Sequence, residues 1–222
     1  MARVKDAPKN AKQHAIYRLK DNTIVPGTTT ITGVMDKPFL VPWANRLGLE
    51  GIKTTEYVDN LAQIGTLAHE IVSCHFKGVE ADISDYTQKQ LDLAENSALS
   101  YFEWEKGHEV EALLVETPLV SELLRYGGQI DCLARIDGVA TLLDLKTGKA
   151  IYNEYFDQLA AYAYLLEENG WVGDFRKLPT MILRIGRDET EGFEVKKGVN
   201  IKRHFERFKV CRQLYELNKE LK

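Results

Sequence analysis

Cysteine is scarce in this sequence, and the three present, Cys74, Cys132 and Cys211, are odd in number and far apart. They exclude a disulfide framework and a C-x-x-C metal knuckle, and they suit a reducing, cytoplasmic compartment. Long apolar runs are also missing. The longest, Leu159 to Leu166, is far too short to span a bilayer, and the N-terminus has no apolar h-region of a secretory signal. No membrane partner is expected. Internal repeats and low-complexity tracts are absent as well. What is there is 222 residues with an ordinary hydrophobic fraction of 44%. That is enough for one compact domain with a real core, spanning residues 1–222.

The net charge of −4 is unevenly spread. Residues 1–20 carry +5 and residues 196–222 carry +6, which leaves −15 for the middle. Basic ends around an acidic centre suit arms that touch phosphate and a centre that holds cations. Plain solvated surface charge explains the same pattern equally well. Residues 1–14 read as a mobile basic arm, and residues 199–222 as a basic amphipathic helix packed on the domain. Its apolar positions Ile201, Phe205, Phe208 and Leu214 favour packing as its first role.

Between these ends, Pro26-Gly27 marks a turn before the β-branched run Thr28 to Thr32. Helical spacing covers Pro38 to Leu49, Thr54 to Phe76 with Gly65 as an interruption, Ser84 to Lys106 with Ser84 as cap, and Tyr152 to Asn169 up to Gly170. Strands are expected at Ala112 to Val120, on both sides of Asp137-Gly138, at Thr180 to Ile185, and as a short piece at Gly192 to Val195. This order gives a mixed α/β domain, with a small mixed central β-sheet flanked by helices.

The chemistry lies in Gly127 to Gly148, GGQIDCLARIDGVATLLDLKTG. Asp137-Gly138 is a two-residue hairpin signal. It pairs Ile136 with Val139 and, by register, sets Asp131 opposite Asp144, with Cβ atoms about 4.5–5.5 Å apart. Lys146 falls on the face of Asp144, while Leu143 and Leu145 point to the core. Two facing carboxylates about 5 Å apart repel by roughly 3 kcal/mol at an effective dielectric near 20. A divalent cation relieves that repulsion, because hard cations take carboxylate oxygen. A metal on two carboxylates beside an ammonium suits attack of water on a phosphodiester, since it acidifies water and neutralises phosphate oxygens. A lysine-bridged surface patch is the plain alternative. It accounts for the charges but not for the apolar strands around them.

At this point the chain resembles the PD-(D/E)XK nuclease superfamily, and within it the RecB-like exonuclease branch of phage-type and mitochondrial single-strand DNA exonucleases. Five stretches between residues 17 and 170 carry the resemblance: Gly65-Thr66-Leu67-Ala68-His69, Val115-Glu116-Thr117-Pro118-Leu119, Gly127-Gly128-Gln129-Ile130-Asp131, Asp144-Leu145-Lys146-Thr147 and Gln158-Leu159-Ala160-Ala161-Tyr162. Pro26 to Ile31, with Trp43 beyond, is similar to the opening of many members.

The resemblance implies a PD-(D/E)XK nuclease-like core and a role for each residue. Asp131, Asp144, the carbonyl of Leu145 and His69 would hold Mg²⁺ or Mn²⁺. Lys146 would orient the attacking water, and Glu116 would sit at the site edge, holding water or a second metal. Gln158 and Tyr162, four apart on one helix face, would buttress Lys146 and touch the DNA backbone, and Thr147 would hydrogen-bond a phosphate. Relatives with an iron–sulfur cluster use four cysteines, so no cluster is expected here. His69-Glu70 followed by His75 is not a zincin motif, because the second histidine comes six residues after the first rather than four.

The function implied is a metal-dependent DNA exonuclease, acting on single-stranded or end-resected double-stranded DNA in recombination, replication or repair. It would work in a bacterial or phage-infected cytoplasm, beside a strand-annealing protein. The competing readings are a structure-specific or nicking endonuclease of the same fold and a catalytically silent DNA-binding module. Arg135 and Lys149 read as substrate contacts or as ordinary exposed charge.

Overall fold

The computed structural model describes residues 15–221. The basic arm expected at residues 1–14 lies outside them. A two-stranded ribbon, β1 (Tyr17–Arg18) and β2 (Ile24–Val25), precedes α1 (Thr28–Thr32), α2 (Leu40–Leu49), α3 (Thr54–Lys77) and α4 (Gln88–Glu105). The main sheet follows: β3 (Val110–Ser121), β4 (Tyr126–Ile136), β5 (Val139–Lys146), then α5 (Asn153–Glu168), a 3₁₀ turn (Phe175–Lys177), β6 (Thr180–Ile185), β7 (Phe193–Lys197) and α6 (Ile201–Glu220).

The strand order is β3-β4-β5-β6-β7. All pairs are antiparallel except β5 with β6, which run parallel. A parallel pair needs a crossover, and α5 supplies it. The sheet is therefore mixed and small, as expected.

Each face of the sheet is covered by its own helices. On one side Leu133, Leu142 and Ile182 pack with Leu159, Leu165, Phe205 and Phe208 of α5 and α6. On the other, Leu143, Leu145 and Leu183 pack with Leu67, Val72, Ala98 and Tyr101 of α3 and α4. The alternation of Leu142 and Leu143 between the two cores follows the period-2 pleat. Asp144 falls on the α5 side, and it is 1% exposed.

Local departures from the sequence pattern have physical reasons. The β-branched run Thr28–Thr32 forms a helical turn, because Thr28 is fixed by its Oγ1, which donates to the carbonyl of Gly127 at 3.0 Å. Gly65 does not interrupt α3, which runs unbroken through it. A Cβ there would come within 2.7 Å of Thr147 Oγ1, so the glycine serves close approach. Helix α4 is capped by Thr87 rather than Ser84. Thr87 and Gln90 form a reciprocal capping box. On α6, Ile201, Phe205 and Phe208 are buried as expected, but Leu214 is not. It is 42% exposed, and Cys211 packs in its place.

Candidate active site

The hairpin has the expected register. Ile136 pairs with Val139, and the ladder continues to Cys132 with Leu143. Asp137 and Gly138 both have positive φ, which the turn requires. One step short of the expected 131/144 pair, the described ladder ends. There Oδ2 of Asp131 accepts the backbone N–H of Leu145 at 2.8 Å. A carboxylate thus takes the hydrogen bond that a strand carbonyl would otherwise fill, and Asp131 is tied to the strand that carries Asp144 and Lys146.

On the other edge of β4 lies Glu116. Val115 pairs with Cys132 and Thr117 with Ile130, which puts Glu116 across from Asp131. Glu116 has φ +48°, a left-handed conformation within a strand. For a non-glycine residue such a backbone costs of order 1–3 kcal/mol. Gln129 Nε2 donates to its Oε2, which gives the strained residue a fixed carboxylate. One ligand atom each from His69, Glu116 and Asp131 lies within 4.8 Å of the others. The acidic residue read as the edge of the site is therefore part of its nitrogen-and-carboxylate cluster, and Asp144 stands outside that particular trio.

Asp144 has a different environment. Lys146 Nζ lies 2.7 Å from its Oδ2. Among the described residues no other donor reaches either carboxylate oxygen of Asp144. Burial pushes its carboxyl up to about 6, helped by the charge of Asp131 and opposed by Lys146. Burial also works against the charge on Asp131. His69, Lys146 and the Leu145 amide outweigh it and hold Asp131 down to about 2. The two carboxyls are pushed apart in the manner of an acid–base pair whose environments differ.

His69 comes from α3, with Nδ1 3.5 Å from Asp131 Oδ1. Burial opposes its protonation, but Asp131 draws its pKa above the usual value. Lys146 behaves likewise. Burial disfavours its charge, and Asp144 and Asp131 raise its pKa regardless. It is held as an ammonium.

The expected support from α5 is divided among more residues. Gln158 Nε2 donates to Tyr162 Oη at 2.7 Å. The Tyr162 phenol is held protonated, first by burial and then by Asp144. Lys146 itself lies over the ring of Tyr155, 5.1 Å from its centroid. Tyr155 is one turn before Gln158, so the helical spacing 155, 158, 162 already placed it on the same face.

Gly127 and Gly128 serve packing of aromatic rings. A Cβ on Gly127 would meet the Tyr17 ring at 2.2 Å, and one on Gly128 would meet Tyr162 at 2.4 Å. Tyr17 and Gln129 are site neighbours that the sequence reading passed over. Gln129 was legible, because it lies two residues from Asp131 on the same strand. Thr147 is half-buried against Gly65. Lys149 is exposed, and Arg135 is paired with Glu111. The burial of Asp144, with Lys146 only 17% exposed, rules out the lysine-bridged surface patch.

A family model described as the PD-(D/E)XK nuclease superfamily matches residues 43–217. Among solved structures, a "Putative exonuclease" from Eubacterium rectale is similar at 15% identity over 68% of each chain, with a TM-score of 0.42. That likeness is too slight to bear on function. No curated protein matches. The family match covers most of the chain and includes every element that brings His69, Glu116, Asp131, Asp144 and Lys146 together, so the chain belongs to the PD-(D/E)XK nuclease superfamily.

Proposed function

We propose that this protein is a metal-dependent DNA exonuclease that hydrolyses phosphodiester bonds from DNA ends. One observation carries the reading. Asp144 is a buried carboxylate that meets the Lys146 ammonium at 2.7 Å and no other hydrogen-bond donor among the described residues, next to a second cluster of nitrogen and carboxylate ligand atoms. Buried charge left unsatisfied is costly, and such a site suits a hard divalent cation, Mg²⁺ or Mn²⁺. His69, Glu116, Asp131 and Asp144 are the residues that would hold it, with the Leu145 carbonyl as a further ligand. The ion supplies charge neutralisation at phosphate oxygen and a more acidic water.

The remaining roles follow from this chain's own groups. Lys146 is paired with Asp144 at 2.7 Å, and Asp144 and Asp131 favour its charged form, so it can donate hydrogen bonds into the site. It orients the attacking water and stabilises charge that develops on phosphate. Tyr155 lies beneath its Nζ. Gln158 and Tyr162 fix each other, and the Tyr162 phenol feels the charges of Asp144 and Asp131. Thr147, one residue beyond β5, would hydrogen-bond a phosphate. A place in recombination, replication or repair, beside a strand-annealing protein, rests on the family resemblance alone.

The test is cleavage of end-labelled linear and circular DNA, single- and double-stranded, with Mg²⁺, Mn²⁺ or chelator. Loss of linear DNA with circles spared, abolished by chelator and by Asp144→Asn or Lys146→Ala, is the expected result. Cut circles would replace the exonuclease with an endonuclease. Binding without cleavage would leave a silent module.

A further inference from the structure

An aromatic column leads outward from Lys146. Below its Nζ is the Tyr155 ring. Tyr155 meets Tyr152 edge-on, with centroids 5.6 Å apart. Tyr152 in turn stacks on Phe39 at 5.6 Å, with the ring planes only 8° apart. An ion pair of 3.3 Å between Lys37 and Glu154 fastens the segment that carries Phe39 to the first turn of α5.

Packing does not account for the outer pair. Phe39 is 47% exposed and Tyr152 38%, and neither belongs to the two apolar clusters. Helix α2, which follows Phe39, buries none of its residues. Among the described residues Phe39 has no ring partner besides Tyr152. A single exposed apolar side chain is ordinary. Two parallel rings left in water at the rim of a phosphate-cleaving site are a surface with a shape.

We propose that Phe39 and Tyr152 form a stacking platform for a nucleobase of single-stranded DNA, a few nucleotides from the phosphate that lies against Lys146. The proposal rests on the nuclease reading for the position of that phosphate. Every base offers a flat π-face, so stacking on an aromatic ring tolerates any sequence. A base within a duplex has both faces covered by its neighbours, so the platform favours unpaired strands and frayed ends. Lys149, exposed on the loop between Lys146 and Tyr152, supplies positive charge for the backbone that joins the two points.

The experiment is a cycle between ring and base. Wild-type protein, kept from cleaving by chelator, is titrated with short single-stranded oligothymidine in which one abasic site is stepped inward from the end. One position is expected to weaken binding about tenfold. Phe39→Leu should bind the intact strand about tenfold more weakly and no longer sense that position, whereas Phe39→Trp should sense it fully. Melting curves of the variants check folding. If the leucine variant does not fold, 2-aminopurine at the sensitive position still decides, because its fluorescence is quenched by wild type and by Phe39→Trp only when the base is stacked. Sensitivity to no position in wild type, equal sensitivity in Phe39→Leu, or an unquenched probe overturns the platform. Cleavage with Mg²⁺ or Mn²⁺ is scored separately. Cleavage without coupling removes only the platform, and coupling without cleavage removes only the nuclease chemistry.

Discussion

Two aspartates of this protein are sealed from water, and they are treated in opposite ways. Asp157, on α5, has no exposed side-chain surface. It accepts from His204 Nδ1 at 2.7 Å and from Arg207 Nε at 2.6 Å, both on α6. Its charge is matched, and it fastens one helix to another. Asp144, on β5, is as deeply buried, yet among the described residues no donor besides the Lys146 ammonium reaches its oxygens. Its main compensation is the Lys146 ammonium, with a smaller contribution from His69. Burial of a charge is tolerated where pairing and hydrogen bonds are complete. Where they are incomplete, the site carries a cost that folding alone does not require. The first arrangement builds the fold, and the second suits the cation site proposed above.

The sharpest way to break this comparison is to neutralise both carboxylates. Asp144→Asn should lower cleavage about a thousandfold, yet lower the melting temperature less than Asp157→Asn does, because loss of the Lys146 partner is offset by removal of a poorly hydrogen-bonded buried charge. Single-turnover cleavage and thermal melting check both halves. A variant that cleaves well, or one that melts as low as Asp157→Asn, would place Asp144 among structural residues. Asp157→Asn should do the reverse. It leaves Arg207 and His204 without their anion and should destabilise by about 3 kcal/mol, read by denaturant titration. Arg207 is 43% exposed, so water recovers part of that loss. The folded fraction should cleave normally, because the side chain of Asp157 pairs with His204 and Arg207, neither of them a proposed site residue.

A pH experiment sharpens the contrast without any ligand. Asp144 has its carboxyl raised from 3.8 to about 6. Between pH 4 and 6 the unfolded chain has released this proton while the folded chain keeps it. The unfolded state then binds fewer protons, so stability falls as pH rises. Asp131 is lowered from 3.8 to about 2 and acts the other way. Its stabilisation is present above pH 4 and is lost as pH falls through about 2, outside the window. Metal-free wild type should therefore lose stability from pH 4 to 6 relative to Asp144→Asn. Parallel stability curves for the two proteins would show that Asp144 titrates normally.

Asp144 was legible in the sequence, whereas Asp157 was not. The hairpin signal fixed the register that buries Asp144, and an aspartate in an apolar strand stands out against its neighbours. Asp157 lies on a half-polar helix, where a charge is unremarkable, and its partners are far along the chain in α6. The same distinction runs through the site. Lys146, His69 and Glu116 fall in short ordered motifs. The strain at Glu116 and its hold by Gln129 arise from strand pairing that no local pattern encodes. Tyr17 reaches the site only because Gly127 leaves room for its ring. The strands and the central hairpin followed from strand periodicity and the Asp-Gly turn, whereas the order β3-β4-β5-β6-β7 depends on long-range pairing that no local pattern states. Helix starts were less secure, because Thr87-x-x-Gln90 and Ser84 compete locally and only the completed capping box decides.

The smallest expected effect on stability bears on whether the end of β5 is shaped for chemistry. Gly65 lies within α3, where alanine is favoured by roughly 1 kcal/mol. Its Cβ would stand 2.7 Å from Thr147 Oγ1, one residue beyond Lys146. Gly65→Ala gains helix propensity and loses room, so its net stability should change by less than about 1 kcal/mol. Cleavage should nevertheless fall, by about tenfold, because a displacement of the strand end misplaces Lys146 relative to Asp144. Thr147→Ala in the same chain removes the clashing oxygen and should restore part of the rate, whereas Thr147→Ser keeps that oxygen and should not. If Gly65→Ala cleaves at the wild-type rate, the glycine marks only close packing of helix on strand. If it fails and Thr147→Ala rescues it, the end of β5 is held in place for Lys146, as α5 and α6 are held in place by Asp157.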